Sequence, residues 1–334
     1  MKGIVVNRHA AGSSLEWRDV KAPVLGAGDL LVEVVSAGVN RTDLMTRERQ
    51  AGYADDVADA GEDTVELGVE VAGEVVQVMG DVAGISVGDH VMGLVDGGGY
   101  AQYVRLPAER AMLLPDGLSL QEAAAIPEVF LTAYQTLFWH GQLQAGETVL
   151  IHAGASGVGT AAIQLAKQLV EARVIVTAGS QAKLDSCLAL GADVAINYKD
   201  TDFSQAVLEA TDNRGVDVIL DFVGASYWQK NLDSIAESGR WVLIGALGGS
   251  VVSNVQLFDL MKKFVTLTGT LLTPRSAAYK AKLTSEFQAR VKPYFEDGRI
   301  RPVIDRSFKV ADAEAAQAYM AENRNTGKIL LINS

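Results

Sequence analysis

The pattern of hydrophobic and polar positions changes about a third of the way along the chain. The first part, to about Pro115, contains short apolar runs separated by glycine and aspartate, such as residues 30–34, 70–76 and 89–93. Runs punctuated in this way predict β-strands joined by turns. Because the connecting stretches are irregular, we expect this part to form a partly open, all-β barrel.

From Gln121 onward the pattern becomes an alternation of strands and helices. Such alternation predicts a doubly wound α/β arrangement, in which helices cover both faces of a parallel sheet. The expected strands are residues 148–152, 173–178, 194–197, 217–222, 240–245 and 264–269, and a long helix is expected at 277–295. Strand signals return at 303–304 and 329–332, so we expect the tail to rejoin the first domain.

One turn carries the most informative chemical motif. An apolar strand runs into the sequence HAGASGVG at residues 152–159, and a helical pattern follows from Thr160. A strand, glycine turn and helix in this order present backbone N–H groups and a positive helix end to a pyrophosphate. Ser156 stands where the usual G-x-G-x-x-G template has its middle glycine, so an ordinary tight turn is the alternative. The predicted phosphate contacts are Gly154, Ser156, Gly157, Val158 and Gly159.

The residues after the second strand of the alternation indicate which dinucleotide binds. An NAD site would place Asp or Glu there, about 20 residues past the glycines, to hold the ribose 2′-hydroxyl. This chain has Gly179, Ser180 and Lys183 instead. A hydroxyl and an ammonium suit a 2′-phosphate, so NADPH is favoured over NADH. The alternative is a plain helix N-cap at Ser180 with a solvated lysine.

Composition excludes several classes of function. The chain has 334 residues, enough for two domains, and a formal net charge of −12 with no block of lysine and arginine, which argues against a nucleic-acid partner. No apolar run reaches the length of a membrane span. The single cysteine, Cys187, fits a reducing compartment. We therefore expect a cytoplasmic protein with a small-molecule substrate and no membrane partner.

Further runs are specific enough to carry a family resemblance. They are residues 38–43 (GVNRTD), 67–73 (LGVEVAG), 87–91 (VGDHV), 97–104 (GGGYAQYV), 123–127 (AAAIP) and 327–329 (GKI). Together they resemble the zinc-independent quinone oxidoreductase branch of the medium-chain dehydrogenase/reductase superfamily over essentially the whole chain. Within that branch, residues 152–165, 177–181, 197–199 and 226–228 are similar to the tumour-suppressor-inducible NADPH:quinone oxidoreductase group.

The resemblance implies two domains and a site without metal. A GroES-like, partly open β-barrel catalytic domain would cover 1–121 and 296–334, and a Rossmann NADPH-binding domain 122–295. In the zinc alcohol dehydrogenases of the superfamily, a cysteine ligand would occupy the Asn40 position and a histidine the Val69 position. Catalytic zinc requires three protein ligands, and neither an amide nor an isopropyl group suits it. Without zinc, oxidation of an alcohol is disfavoured relative to reduction of an electron-poor acceptor.

The resemblance also implies roles for individual residues. The implied catalytic set is Asn40, Asp43 and Tyr53, with Asn40 donating its amide to the acceptor oxygen or the cofactor ribose and Tyr53 stacking on a quinone. For Asn40 the alternative is a loop residue that bonds its own backbone. Residues 54–56 (ADD) replace the prolines that usually follow this tyrosine, so the chain departs from its relatives at this point. The further implied cofactor contacts are Asn40, Thr132, Tyr198, Val223, Gly245, Leu247, Leu271, Leu272 and Asn325, with core packing as the alternative for the apolar ones.

These residues predict NADPH-dependent, metal-independent reduction of quinones by hydride transfer from nicotinamide C4. Two alternatives stay open: an enone or enal double-bond reductase, which also uses a stacked conjugated acceptor, and a non-catalytic NADPH-binding protein of the zeta-crystallin type.

Residues 264–269 have the pattern of an apolar edge strand. Because such an edge invites pairing with a second copy, we expect a two-fold homodimer through this strand.

Overall fold

The computed structural model describes residues 1–9, 12–49 and 64–333. The chain divides into two compact units. Unit 1 comprises Met1–Leu131 and Leu272–Ser334, and unit 2 comprises Thr132–Leu271. In the part that the structure describes, no helix is both long enough and apolar enough to span a membrane.

Strands and helices follow one another along both units. In chain order they are β1 (Lys2–His9), β2 (Gly12–Asp19), β3 (Asp29–Val39), α1 (Arg41–Arg47), β4 (Glu70–Val78), β5 (His90–Leu94), β6 (Tyr103–Pro107), β7 (Ala111–Leu113), α2 (Leu120–Ala123), α3 (Pro127–Tyr134), β8 (Thr148–Ile151), α4 (Gly157–Val170), β9 (Arg173–Ala178), α5 (Gln181–Ala189), β10 (Val194–Asn197), α6 (Phe203–Ala210), β11 (Val216–Asp221), α7 (Trp228–Ser234), β12 (Ile235–Leu243), α8 (Leu257–Lys262), β13 (Thr266–Gly269), α9 (Ala277–Glu296), β14 (Ile304–Lys309), α10 (Ala313–Ala321) and β15 (Lys328–Ile332). A π-helical segment, Gln135–His140, continues α3.

Unit 1 is organised around a mainly antiparallel sheet. Its strand order is β14-β15-β3-β4-β5-β7, β6 pairs with β3, and β1 and β2 form a separate antiparallel pair. Ile329 of β15 lies opposite Val39 of β3, which confirms that the tail returns to the first domain. Alternate apolar side chains point into one core, and those of Ile4, Leu30 and Val71 have no exposed surface.

The units divide at 131/132 and 271/272, whereas the sequence predicts divisions at 121/122 and 295/296, and aromatic packing accounts for the place of helix α9 in unit 1. Helix α9, 20 residues long, buries one apolar stripe that includes Phe287 and Phe295. Both rings contact Phe130, with centroids 6.4 and 5.2 Å away. Because these contacts join segments distant in sequence, both α9 and the residues before 132 belong to unit 1.

Unit 2 contains a six-stranded sheet in which every pairing is parallel. The strand order is β10-β9-β8-β11-β12-β13, so the chain moves in one direction from β8 and in the other from β11. The adjacent carboxyl ends of β8 and β11 therefore form the topological switch point, where ligands bind in sheets of this kind. This doubly wound parallel sheet and the mainly antiparallel sheet of unit 1 confirm the predicted α/β fold class with two domains.

Candidate cofactor site and catalytic cluster

The glycine turn joins β8 to α4 in the way that the sequence predicts. Ser156 is the N-cap of α4, and its hydroxyl accepts a hydrogen bond from the Gly159 N–H at 3.1 Å. Within the described residues, the N–H groups of Gly157 and Val158 have no acceptor. Two such groups at the positive end of a helix suit a phosphate, so the turn fits a dinucleotide pyrophosphate.

Close packing explains the two glycines that match the template. A Cβ on Gly159 would lie 2.5 Å from the carbonyl oxygens of Ala153 and Gly154, and a Cβ on Gly154 would lie 2.8 Å from Val176 Cβ. Any larger residue at either position would push the turn away from the helix or the sheet. Ser156 departs from the template without disrupting the turn because it serves as the N-cap.

Three residues predicted to hold a 2′-phosphate lie just after β9, in the first turn of α5 and just after β10. Ser180 is the N-cap of α5 by position, but its exposed hydroxyl makes no capping bond. The phenol of Tyr198 packs against Gly179, where an added Cβ would be 2.8 Å from Tyr198 Oη. Lys183 lies in the first turn of α5 and is half-buried. A hydroxyl and a phenol at these strand ends, and an ammonium in the helix that follows β9, are donor types that suit an anion.

The turns after β11 and β12 are joined by backbone hydrogen bonds. Gly248 N–H donates to Val223 O at 2.7 Å, and Leu247 N–H donates to Phe222 O at 3.1 Å. This pairing brings the predicted contacts Val223, Gly245 and Leu247 to the carboxyl edge of the sheet. The Leu247 side chain is 57% exposed there, as expected for an apolar group that faces a ligand.

The remaining predicted contacts are divided between the units. Thr132 in α3 is buried, and Leu271 follows β13 in unit 2. Leu272, which is buried, and Asn325 belong to unit 1. The Asn325 amide donates to Gly327 O at 2.7 Å. Tyr53 lies outside the described residues, so its predicted role stays a prediction.

Asp43 is a wholly buried carboxylate that holds three segments of unit 1. It accepts hydrogen bonds from the N–H of Asn40 at 2.8 Å, the N–H of Gly68 at 2.9 Å and the hydroxyl of Tyr100 at 2.9 Å. Burial raises the pKa of Asp43 to about 6. This geometry assigns Asp43 a positioning role in unit 1, and its predicted catalytic role stays a prediction.

The side chain of Asn40 is fully hydrogen-bonded. Its Nδ2 donates to Glu70 Oε1 at 2.8 Å and, more weakly, to Gly38 O at 3.3 Å, and its Oδ1 accepts from Lys328 Nζ at 2.7 Å. The backbone bond foreseen as the alternative for Asn40 is therefore present. Only the long hydrogen bond to Gly38 O could be replaced by a bond to a ligand at a small cost in free energy.

Glu70 and Lys328 form a buried ion pair, and neither residue is among the predicted site residues. Glu70 Oε1 and Lys328 Nζ lie 2.6 Å apart, and the two side chains are 0% and 3% exposed. Both residues do occur in the runs that carry the family resemblance. A charged residue within an apolar strand is the signal that could have predicted this pair. Such a charge is rarely buried without a partner.

Glu128 is the third carboxyl group, after Asp43 and Glu70, in this cluster of buried polar groups. Its N–H donates to Glu70 Oε2 at 2.7 Å. Burial, and then the charges of Glu70 and Asp43, raise the pKa of Glu128 to about 8, although Lys328 opposes the shift. The carboxyl therefore holds a proton at neutral pH.

Comparison with known families and relatives agrees with this architecture. A family model described as Alcohol dehydrogenase GroES-like domain matches residues 26–116, and one described as Zinc-binding dehydrogenase matches 157–288. The Quinone oxidoreductase of Pseudomonas aeruginosa is 33% identical over 95% of each chain. The 2-methylene-furan-3-one reductase of Solanum lycopersicum is 32% identical over 94% of this chain and 74% of its own. A highly reducing polyketide synthase of Glarea lozoyensis, gloL, matches 98% of this chain at 29% identity, but this chain spans only 12% of the synthase.

Solved structures match over the full length. A quinone oxidoreductase of Pseudomonas syringae pv. Tomato DC3000 has a TM-score of 0.85 and 30% identity, with 99% of this chain and 100% of that chain covered. A mycobacterial protein complexed with NADPH gives the same TM-score, identity and coverage. An NAD-dependent alcohol dehydrogenase has a TM-score of 0.87 and 29% identity, with both chains covered completely.

The GroES-like unit and the parallel sheet with its glycine turn define an oxidoreductase that uses a nicotinamide dinucleotide. The chain belongs to the quinone oxidoreductase branch of the medium-chain dehydrogenase/reductase superfamily, which confirms the family predicted from its sequence.

The raised pKa of Glu128 predicts a pH-dependent effect of Glu128→Gln on stability. The folded chain holds the proton up to a pKa of about 8, against an ordinary value of 4.5. Wild type therefore loses stability as the pH rises through this window, by at most about 1.4 kcal/mol per pH unit. The free energy of unfolding of the variant should exceed that of wild type by a margin that grows up to pH 8 and then levels off. Urea titrations at a series of pH values measure it.

Glu122→Gln is the matched control. Hydrogen bonds from the Ser119 N–H and hydroxyl lower the pKa of Glu122. Its replacement should therefore reduce stability as the pH rises through the carboxylate range, with the opposite sign. A margin for Glu128→Gln that does not change with pH would contradict the assignment.

Proposed function

We propose that this chain catalyses the NADPH-dependent, metal-independent reduction of quinones. The observation that carries the proposal is the similarity, over 95% of each chain, to the quinone oxidoreductase of Pseudomonas aeruginosa. Hydride transfer from nicotinamide C4 is the chemistry that the bound cofactor would supply. The chain's own residues would bind and orient the cofactor and the acceptor, and they would exclude water from the site.

Three features of unit 2 support NADPH as the cofactor. The strand β9 is followed by Gly179 and Ser180, without the carboxylate that would hold a ribose 2′-hydroxyl. The Ser180 hydroxyl makes no capping bond, and the Tyr198 phenol lies against Gly179. In the proposed complex, Ser180, Lys183 and Tyr198 bind the 2′-phosphate, and Gly157 and Val158 bind the pyrophosphate.

The residues of unit 1 support chemistry without zinc. A catalytic zinc needs three side-chain ligands. At the two positions where zinc-dependent relatives would carry ligands, Val69 is a buried isopropyl group, and Asn40 Oδ1 lies 2.7 Å from the ammonium of Lys328. A divalent cation beside that ammonium would experience strong repulsion. The donor set therefore does not fit the metal.

An enone or enal reductase is the second candidate function. The 2-methylene-furan-3-one reductase of Solanum lycopersicum favours it, since that relative is also similar over most of this chain. A quinone and an enone both accept hydride on a conjugated carbon while charge develops on oxygen. The same residues of this chain would serve either acceptor.

Steady-state kinetics separate these functions. Oxidation of NADPH is followed at saturating cofactor with benzoquinones and naphthoquinones, with an enal and an α,β-unsaturated ketone, and with no acceptor. The proposal expects kcat/KM to be highest for a quinone. A higher value for the enone would establish the second candidate. If no acceptor is reduced while NADPH still binds, the chain is a non-catalytic binding protein.

Lys183→Ala tests the 2′-phosphate site. Loss of one charge-assisted contact should raise the Kd for NADPH by about tenfold, equivalent to about 1.4 kcal/mol. The Kd for NADH should stay within about twofold of wild type. Cofactor fluorescence titration measures both constants. Lys262→Ala, an exposed lysine of α8 in the same unit, is the control and should change neither. Equal weakening of NADPH and NADH would remove the assignment.

We further propose a two-fold homodimer through β13. This strand is the last in the order of its sheet, and large apolar side chains around it are exposed, among them Met261 at 64% and Phe264 at 65%. Exposed apolar groups beside a strand edge are typical of an interface. Quinones or enones and a second copy of the chain are thus the proposed partners.

Light scattering tests the dimer. Wild type at micromolar concentration should have twice the mass of the 35.5 kDa chain. Phe264→Asp combined with Leu267→Asp should give the monomer mass, because each carboxylate would be buried in an apolar interface. Val24→Asp, at a position of unit 1 that is 86% exposed, should remain dimeric. A monomeric wild type would refute the proposal.

A further inference from the structure

A buried polar relay crosses three neighbouring strands of unit 2 at their carboxyl ends. The imidazole of His152, which follows β8, has no exposed surface. Its Nδ1 lies 2.9 Å from Thr177 Oγ1 in β9, and its Nε2 lies 2.7 Å from Asn231 Oδ1 in α7. Asn231 Nδ2 donates in turn to Asp221 Oδ2 at 3.0 Å, at the end of β11.

The hydrogen-bond directions in this relay are fixed by its far end. Asp221 accepts on Oδ1 from the N–H groups of Val223 and Gly224, at 2.7 and 3.0 Å. Because a carboxylate only accepts, Asn231 must present its Nδ2 to Asp221 and its Oδ1 to the imidazole. His152 therefore carries its proton on Nε2, and Nδ1 accepts from the hydroxyl of Thr177. Burial lowers the pKa of His152, which keeps the ring neutral.

The relay lies where the backbone most needs support. Ala153, next to the imidazole, has a φ of +49°, a left-handed conformation that costs a residue with a side chain roughly 1 kcal/mol or more. The same residue opens the glycine turn. Thr177 also accepts the Gly154 N–H on its carbonyl oxygen at 2.9 Å. The imidazole thus links a strained turn to β9 on one side and to the turn after β11 on the other.

We propose that His152 is a positioning residue for the cofactor, which holds the three turns of the adenosine half in register across the switch point. The proposal rests on the dinucleotide site described above. The turn after β8 presents the N–H groups of Gly157 and Val158, the turn after β9 presents Ser180, and the turn after β11 contains Val223. A ligand that contacts all three gains affinity when their spacing is fixed before it binds.

The test measures binding with variants that separate the relay from core packing. His152→Phe removes both hydrogen bonds but keeps an aromatic ring between Phe203 and Tyr227, whose centroids lie 4.8 and 4.9 Å from that of the imidazole. Thr177→Val deletes one donor with the shape preserved, and Thr177→Ser restores it. Kd values for 2′,5′-ADP, 5′-AMP and NADPH are measured by calorimetry, well below the thermal midpoint of each variant.

The relay predicts that His152→Phe raises the Kd of each adenosine ligand by about tenfold and Thr177→Val by about threefold to tenfold. Thr177→Ser should stay within about twofold of wild type, and kcat at saturating NADPH should be unchanged in all three. If His152→Phe lowers the thermal midpoint but leaves every Kd unchanged, the histidine is only a core residue and the inference is overturned.

The two proposals fail in different ways. Wild type that binds 5′-AMP as tightly as 2′,5′-ADP would overturn the NADPH assignment alone, and the relay would then be judged on 5′-AMP. A histidine that proves to carry its proton on Nδ1, as read from nitrogen chemical shifts of labelled protein, would overturn the relay alone.

Discussion

Unit 1 depends on the ion pair between Lys328 and Glu70, which is almost completely buried. Two charges removed from water are tolerated only when their remaining hydrogen-bonding capacity is satisfied, and loss of one partner from such a pair costs about 3–5 kcal/mol. Here the pair joins the last strand, β15, to β4. It also fixes Asn40, whose amide bonds to both charges. The location of the tail and the conformation of Asn40 thus depend on the same electrostatic requirement.

In unit 2, a buried carboxylate has its hydrogen-bonding capacity satisfied by neutral donors. Asp221 is wholly buried, and its two oxygens accept from two backbone N–H groups, from Asn231 and from the indole of Trp241 at 3.1 Å. Because these donors lie on three segments, the carboxylate joins the end of β11 and its following turn to α7 and β12. The glycine turn is linked to this centre through His152. In both units, therefore, a buried acidic group sets the backbone around the residues assigned to chemistry or binding.

The sequence indicates local structure well and long-range partners poorly. The apolar runs 173–178 and 194–197 coincide with β9 and β10. The strand expected at 240–245 begins at Ile235 instead, because its first residues include a bulge near Ser238, where φ is +60°. The hydrogen bonds of the Asn40 side chain could not be predicted for a different reason, because its partners Glu70 and Lys328 lie 30 and 288 positions away in sequence. Apolar periodicity reports which face of an element is buried, and it contains no information about which polar groups meet across the core.

The hydrogen bonds of Lys328 connect this framework to the choice of acceptor. An ammonium has three N–H donors, and Val39 O, Asn40 Oδ1 and Glu70 Oε1 lie 2.7, 2.7 and 2.6 Å from Nζ. The cation is therefore saturated and has no donor left for a substrate oxygen, unlike a catalytic metal with an open coordination position. A substrate that needs its carbonyl or hydroxyl strongly polarised would gain little from this cluster. An acceptor that is already electron-poor needs less, so the saturated lysine agrees with the proposed quinone or enone acceptor.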